Sequence, residues 1–275
     1  MKKYLLLLTL PFSLSLFASD LTLHVLKPHQ VDWSSPRGLV ISALKNQATF
    51  QKDPWGQTWT EINCPELKML FTVKPKNYNF LGQIFFESQG LEVLFHTFEG
   101  HMLSDAEALS HYKTEGQIYS LKFNINSNQC SRIADYFKEF QKYKVDKNFG
   151  LPHRPLFAEG ASGSSFAASF VEVAGLMDEG YREEWTRGLN VPDKNINVNG
   201  FKLLTSADHW AKNQDTQKRI LFYDPEKIGN WIESKVKLLP CPDHSLRGVC
   251  IDKSFLPPLQ TPIWQQRSDS TYRKK

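Results

Sequence analysis

The stretch Gly160–Leu176, GASGSSFAASFVEVAGL, joins a turn rich in glycine and serine directly to an apolar helical pattern. Large apolar side chains recur at helical spacing after the turn, at Phe166, Phe170, Val173 and Met177. The alanines between them are small enough to let another element pack closely against the helix. Glycine often ends a helix, so we expect a short apolar helix that begins at the serine-rich turn and ends near Gly175.

Three hydroxyl side chains surround Gly163 at this turn, on Ser162, Ser164 and Ser165. Such a cluster fits helix capping, in which a side-chain oxygen accepts a hydrogen bond from a backbone N–H. It also fits a nucleophile or an anion site, because the N–H groups and the dipole at a helix start favour negative charge. The sequence leaves both roles open. In the catalytic case Ser162 or Ser164 is the nucleophile, and backbone N–H groups of Gly163–Ser165 are the oxyanion donors.

The first 18 residues have the layout of a secretory signal peptide. Met1-Lys2-Lys3 precedes an apolar run, Tyr4–Phe17, that ends in small residues at Ala18-Ser19. The run is too short to span a membrane, and we expect no transmembrane segment later in the chain. We therefore expect export to a periplasm or to the extracellular space. Residues 19–275 would form a single exported α+β domain with an extended, proline-rich C-terminal segment.

The charge of the chain argues against a nucleic-acid partner. The formal charge of the 275 residues is +4, and it falls to +2 without Lys2 and Lys3. Nucleic-acid-binding proteins carry dense basic patches, whereas the basic and aromatic residues of this chain are dispersed.

Four cysteines in an exported chain favour disulfides over a metal site or redox chemistry. Cys241 and Cys250 enclose a short turn-rich loop and are expected to pair, which leaves Cys64 and Cys130 for a long-range bridge. Four cysteines allow three connectivities, so this pairing rests on proximity in the sequence. An unpaired Cys130 at a helix start would instead be a candidate thiol nucleophile, because a helix N-terminus lowers the pKa of a thiol.

Short β-type segments fill the first half of the chain and helical patterns most of the second. This order predicts an α+β fold with an antiparallel sheet packed against a few helices. The expected strands are Leu21–Leu26, Leu67–Val73, Gly82–Glu87, Leu91–Phe98, Gly116–Ile125 and Arg219–Tyr223. The expected helices, besides the one after Gly160, are Asp105–His111, Cys130–Lys144, Asp178–Arg187 and one that starts at Pro225. Asp53–Trp59 is typical of a turn whose tryptophans form a surface platform or anchor a loop, and Gly188–Gly200 of a long loop.

Three histidines, His96, His101 and His111, lie near acidic residues in the first half of the chain. A serine or cysteine nucleophile requires a general base, and we assign that role to His96 or His101. His96 also fits a partly buried structural histidine, because it falls in an alternating strand pattern. The spacing matches neither H-E-x-x-H nor paired C-x-x-C, so we expect no metal site, and no motif indicates a cofactor.

Two short segments resemble the permuted papain-like group, which includes NlpC/P60-type cell-wall amidases and relatives of lecithin:retinol acyltransferase. In that group a histidine, often in a Gly-His dipeptide, leads a strand, and a cysteine follows at the N-terminus of a helix. Leu81-Gly82-Gln83-Ile84-Phe85-Phe86 resembles the histidine strand, and Ser162-Gly163-Ser164-Ser165-Phe166 resembles the cysteine turn. The resemblance covers Leu67–Leu176 and implies a papain-like arrangement of the fold.

Gln83 and Gly163 stand where the group has its histidine and its cysteine. Glutamine is not a general base near neutral pH, and glycine has no nucleophile, so the resemblance implies that the thiol mechanism is lost. Either Ser162 or Ser164 has taken over with a nearby histidine, or the fold now only binds its ligand.

From the sequence we expect an exported protein that binds a peptide or a peptidoglycan-like cell-wall polymer, with hydrolysis left open. Gln83, Gly163 and Ser165 would contribute to the binding site at the serine-rich turn. The competing expectation is a disulfide-stabilised secreted binding or structural protein without catalytic activity, in which the serines are helix caps.

Overall fold

The computed structural model describes residues 19–28, 31–48, 55–77, 79–212, 217–236 and 248–251. The expected signal peptide, Cys241 and most of the proline-rich C-terminal segment lie outside these ranges. Within them the chain forms a mixed α+β structure with a mostly antiparallel sheet, as the sequence predicts.

The described part of the chain contains nine strands. They are β1 (Ser19–Leu26), β2 (Gln57–Asn63), β3 (Lys68–Pro75), β4 (Phe98–Leu103), β5 (Ile118–Ile125), β6 (Asn148–Phe149), β7 (Thr186–Pro192), β8 (Gln217–Tyr223) and β9 (Gly248–Ile251). Seven of them form one sheet in the spatial order β6-β4-β3-β2-β1-β5-β9. Neighbouring strands in this sheet run antiparallel except β5 and β9, which are parallel. Strands β7 and β8 form a separate antiparallel pair.

Eight helices occur in the same ranges. They are α1 (Pro36–Ala48), α2 (Phe80–Phe85), α3 (Ala106–Thr114), α4 (Ser127–Lys142), α5 (Gly163–Val173), α6 (Glu179–Trp185), α7 (Gly200–Thr205) and α8 (Pro225–Val236). None of these described helices combines the length and the apolar character that crossing a bilayer requires.

The main hydrophobic core lies between one face of the sheet and helices α4, α5 and α8. Alternation along β1 places Leu21, Leu23 and Val25 on that face, and all three are fully buried. Every residue of α5 except Glu172 is buried, so the apolar helix expected after the serine-rich turn is confirmed and lies within the core.

A second hydrophobic cluster joins the β7–β8 pair to helices α1, α2 and α7. Ile220 and Phe222 of β8 point into this cluster. Because side chains alternate along a strand, Arg219, Leu221 and Tyr223 project from the opposite face of the pair. That outer face forms part of a cavity described below.

A disulfide links Cys64, which follows β2, to Cys130 in the first turn of α4, with their Cα atoms 5.8 Å apart. Both cysteines are buried in the main core, and the predicted long-range bridge is confirmed. Cys250 is also disulfide-bonded. Its expected partner, Cys241, lies outside the described residues.

Two of the predicted strands are wrong. The segment Gly82–Glu87 begins within helix α2, because Asn79 caps that helix by accepting a hydrogen bond from the Gly82 N–H at 2.9 Å. The segment Leu91–Phe98 begins as a five-residue 3-10 helix, so His96 follows a helical turn and does not alternate within a strand.

Two segments expected to be irregular contain strands. Asp53–Trp59 leads into β2, and Trp59 is fully buried, so it belongs to no surface platform. Gly188–Gly200 contains most of β7.

Strand β1 also carries a buried polar cluster on the face of the sheet that packs against α3. His24 is 1% exposed, with Nδ1 2.8 Å from Ser120 Oγ of β5 and Nε2 2.7 Å from Glu61 Oε2 of β2. Burial lowers the pKa of His24, and the charge of Lys113 lowers it further, against the opposing effect of Glu61. The hydrogen bond from His24 lowers the pKa of Glu61. The folded protein therefore favours an uncharged His24 beside an ionised Glu61.

The pKa of His24 predicts a loss of stability in mild acid. Above its ordinary pKa of 6.5, His24 is uncharged in both states and its contribution to stability is fully present. As the pH falls below 6.5, the unfolded chain binds a proton that the folded chain does not, and stability is lost. Glu61 adds a further loss below its ordinary value of 4.5.

We expect His24→Gln to flatten the dependence of the unfolding free energy on pH between about 6.5 and 4.5. Urea unfolding at a series of pH values measures this dependence. His111→Gln is the matched control, because it replaces a histidine whose side chain is 60% exposed. An equal slope in the wild type and in His24→Gln would contradict the assignment.

Replacing both Cys64 and Cys130 with alanine is expected to lower the unfolding free energy by about 2–4 kcal/mol. The bridge closes a long loop, with 66 residues separating its ends in sequence, and so restricts the unfolded chain. Urea unfolding of the double variant measures the loss. An unchanged midpoint would show that the bridge does not stabilise the fold.

Candidate functional site

The first turn of α5 is held by two of the serines. Ser162 Oγ accepts a hydrogen bond from the Ser165 N–H at 3.2 Å, and Ser165 Oγ accepts one from the Ser162 N–H at 2.8 Å. This reciprocal capping box satisfies backbone donors that a helix start would otherwise leave unpaired. Both side chains are buried, so their position and their bonds fit helix capping.

Ser164 faces the sheet. Its Oγ lies 3.2 Å from Thr58 Oγ1 of β2, and the residue is 4% exposed. Among the residues that the structure describes, no histidine is hydrogen-bonded to Ser162 or Ser164. The general base that an activated serine needs is therefore not in place at either hydroxyl.

Gly163 packs directly against the sheet between Gln57 of β2 and Thr72 of β3. A Cβ atom at position 163 would lie 2.7 Å from Gln57 Nε2, 3.1 Å from Thr72 Oγ1 and 3.2 Å from the Thr58 carbonyl oxygen. Gln57 Nε2 donates to Thr72 Oγ1, and Thr72 Oγ1 donates to the Thr58 carbonyl oxygen at 2.8 Å. A side chain at position 163 would therefore have to displace the Gln57 amide from its hydrogen bond to Thr72.

A cavity of about 240 Å³ borders this turn, and we call it the first cavity. Its aromatic walls come from three distant parts of the chain, with the Trp33 ring 6.0 Å from Trp55 and 5.5 Å from Phe222 between centroids. The neutral polar residues in its lining include Gln57, Thr58, Ser162 and Ser164.

The charged side chains that line the first cavity have partners within the protein. Asp224 is 1% exposed and pairs with Arg187, whose guanidinium lies 5.1 Å from the centre of the Trp33 ring. Lys74 pairs with Asp105 at 3.1 Å. The cavity therefore offers a ligand mainly aromatic faces and neutral hydrogen-bonding groups.

The residues predicted to act with the serines do not line the first cavity. The His96 ring packs near Phe98, with the ring centres 6.3 Å apart. His101 lies on β4 opposite Lys74, and its buried Nδ1 has no hydrogen-bond partner among the described residues. Gln83 lies in helix α2. None of the three is in the lining, whereas Ser162, Gly163 and Ser164 all are.

A different Gly-Gln dipeptide leads a strand and faces Gly163. Gly56-Gln57 precedes and begins β2, with Gln57 against the first turn of α5, whereas Gly82-Gln83 is helical. A Gly-Gln pair followed by alternating residues fits the start of this strand, but the adjacent turn residues and tryptophans favour a loop.

Among the described residues, Ser120, His24 and Glu61 form a hydroxyl–imidazole–carboxylate chain that no sequence motif indicates. The three residues are far apart in sequence and meet only because β5, β1 and β2 are neighbours in the sheet. Ser120 is 1% exposed and is not in the lining of the first cavity, so its hydroxyl is not open to a ligand bound there. We therefore regard this chain as structural.

Within the described ranges, no group of three or more histidine, cysteine, aspartate or glutamate side chains could hold a metal ion.

No protein-family model matches the chain, and no curated protein or solved structure matches it either. Its function is therefore inferred from the geometry of the site.

Gly163→Ala is expected to destabilise the folded protein by about 1–3 kcal/mol, because the added methyl group overpacks a buried contact. Gly180→Ala, in the first turn of α6, is the matched control: a Cβ there meets only Asp178 Oδ1, at 3.3 Å. Alanine favours helix over glycine, so the control is expected to be neutral or slightly stabilising. Urea unfolding compares the two variants.

A second measurement tests whether Gln57 causes the destabilisation expected for Gly163→Ala. The substitution is made in a Gln57→Ala background and compared with its effect in the wild type. Removing the glutamine side chain opens the space that a Cβ needs, so the cost of Gly163→Ala should shrink. An unchanged cost would show that Gln57 does not set the limit.

Proposed function

We propose that this protein is an exported, non-catalytic binding protein with a papain-like arrangement around helix α5. In this proposal the first cavity takes a peptide or peptidoglycan-like material. The observation that carries the proposal is the packing of Gln57 and Thr72 against Gly163, where a papain-like hydrolase would need its histidine and its cysteine.

The papain-like arrangement is supported by the way α5 meets the sheet. Gly56-Gln57 leads β2 much as a Gly-His dipeptide leads a strand in the permuted papain-like group. Gly163 begins the helix that contacts β2 and β3, where that group has its cysteine. We therefore assign the histidine position to Gln57 in place of Gln83.

Gln57 and Gly163 cannot carry out the hydrolysis that a histidine and a cysteine perform in the papain-like group. A glutamine amide does not accept a proton near neutral pH, and glycine supplies no nucleophile. The hydroxyls of Ser162 and Ser164 are hydrogen-bonded to Ser165 and Thr58, so a serine mechanism would have to break contacts that hold the helix start.

The first cavity combines two kinds of surface that suit a peptide-like ligand. The rings of Trp33, Trp55 and Phe222 offer faces for an apolar or planar group. The first N–H groups of a helix have no partner within it, and Gly163 and Ser164 lie both in the first turn of α5 and in the lining. A ligand carbonyl or carboxylate can accept a hydrogen bond there.

Export is supported by two features of the chain. The N-terminal residues have the pattern of a secretory signal peptide, and the Cys64–Cys130 bridge is of a kind that persists in oxidising compartments.

The proposal is tested by incubating the purified protein with soluble peptidoglycan fragments and, separately, with a pool of acetyl-capped tetrapeptides. Equilibrium dialysis measures binding, and mass spectrometry follows the ligands. We expect saturable binding of one of the two probes and no change in ligand mass. Hydrolysed products that disappear in the double variant Ser162→Ala/Ser164→Ala would establish a serine hydrolase instead. Failure of both probes to bind would remove the binding function.

Trp55→Ala is expected to weaken binding of the accepted probe by about tenfold or more, because burying an aromatic side chain contributes about 1.5–3 kcal/mol. Phe86→Ala is the control, since Phe86 is 88% exposed and does not line the first cavity. Equal affinities of the two variants for the probe would place the ligand elsewhere.

A further inference from the structure

A second cavity of about 640 Å³ lies next to the first. It is bordered by α5, α6, the outer face of β8 and the segment 151–157. Leu151, Phe222 and Tyr223 line both cavities, so the two adjoin at these three residues. Ligand pockets in proteins typically measure about 300–1,000 Å³. The first cavity falls below this range and the second within it, so a ligand of ordinary size bound in the first would extend beyond it, and the second cavity offers adjoining space.

Two of the three arginines that line the second cavity are paired within the protein. Arg182 Nη1 donates to Glu172 Oε1 at 2.9 Å, and the Tyr223 hydroxyl donates to the same oxygen at 2.7 Å. Arg154 pairs with Glu159. These two positive charges are balanced before any ligand arrives.

The side chain of the third arginine, Arg219, has no hydrogen bond or ion pair with any other described residue. It projects from β8 on the same side as Leu221 and Tyr223, towards the second cavity, and it is exposed. His153 adds no charge near neutral pH, because burial lowers its pKa. Glu183 of α6 also lines the cavity, is exposed, and likewise has no ion pair within the described ranges. A ligand carboxylate in the second cavity could pair with Arg219, whereas the carboxylate of Glu183 would repel it.

We propose that the two cavities are parts of one groove for an extended peptide-like ligand, and that Arg219 binds a carboxylate of the segment lying in the second cavity. An apolar or planar group of the same ligand then lies among the aromatic rings of the first cavity. This inference rests on the proposed binding function and specifies the chemical class of its ligand as an acidic peptide or peptide-bearing polymer.

The test compares each probe used above with its chemically amidated form, prepared with a carbodiimide and ammonia. Amidation converts carboxylates to neutral amides and leaves the rest of the probe unchanged. We expect the wild-type protein to bind the acid form about five- to tenfold more tightly than the amidated form, since the pair is charge-assisted but exposed to solvent. The preference should shrink as the salt concentration rises.

Four variants test whether Arg219 causes the preference for the acid form of the probe. Arg219→Gln should abolish the preference, whereas Arg219→Lys should retain part of it because the charge remains. Glu183→Gln should increase the preference, since a like charge is removed. Arg37→Gln is the control and should behave as wild type, because Arg37 is exposed on α1 and lines neither cavity. Circular dichroism checks that each variant is folded.

The outcomes separate this inference from the proposed function. Equal affinity of the wild type for acid and amidated probes, or a preference that survives in Arg219→Gln, would overturn the role of Arg219 and leave the binding function standing. Absence of binding to every form of both probes would overturn the two together.

Discussion

Close packing at the start of helix α5 is the constraint on which the rest of the structure depends. Gly163 lies against the side chains of Gln57 and Thr72, so the helix start contributes no side chain of its own to its contact with β2 and β3. The capping box of Ser162 and Ser165 holds that start, and nearly all the following residues of the helix are buried in the core. A nucleophile at position 163 would have to displace the Gln57 amide from this contact.

Local pattern predicted the elements whose amphipathic character is strong. The apolar spacing of α4 and the alternation in β5 each reflect one buried face, which the sequence displays directly. Helix α5 and strand β1 are buried almost entirely, and their large apolar residues still recur at helical and at alternating spacing. The strand expected at Gly82–Glu87 was wrong because its apolar residues fit either structure, and the hydrogen bond from the Gly82 N–H to Asn79 favours the helix. The sequence does not indicate the start of β2, because its first residues follow a turn-rich segment whose tryptophans favour a loop.

The candidate site could be predicted only in part. The serine-rich turn was identified from its composition, but whether its hydroxyls cap the helix or react depends on their partners, which the sequence does not show. Trp33, Trp55 and Phe222 come together because the β7–β8 pair packs near the loop before α1 and the segment before β2, a tertiary arrangement with no local signal. The pairing of Asp224 with Arg187 arises in the same way.

In the proposed function the serine-rich turn binds a ligand and needs no catalytic group, and amide NMR tests this role most directly. Soluble peptidoglycan fragments or capped tetrapeptides are titrated into the ¹⁵N-labelled protein. The backbone N–H signals of Gly56, Gly163 and Ser164 and the indole N–H of Trp55 should shift together and saturate with one Kd, while the ligand mass stays constant. Saturating shifts confined to residues outside both cavities would contradict a binding site at the start of α5.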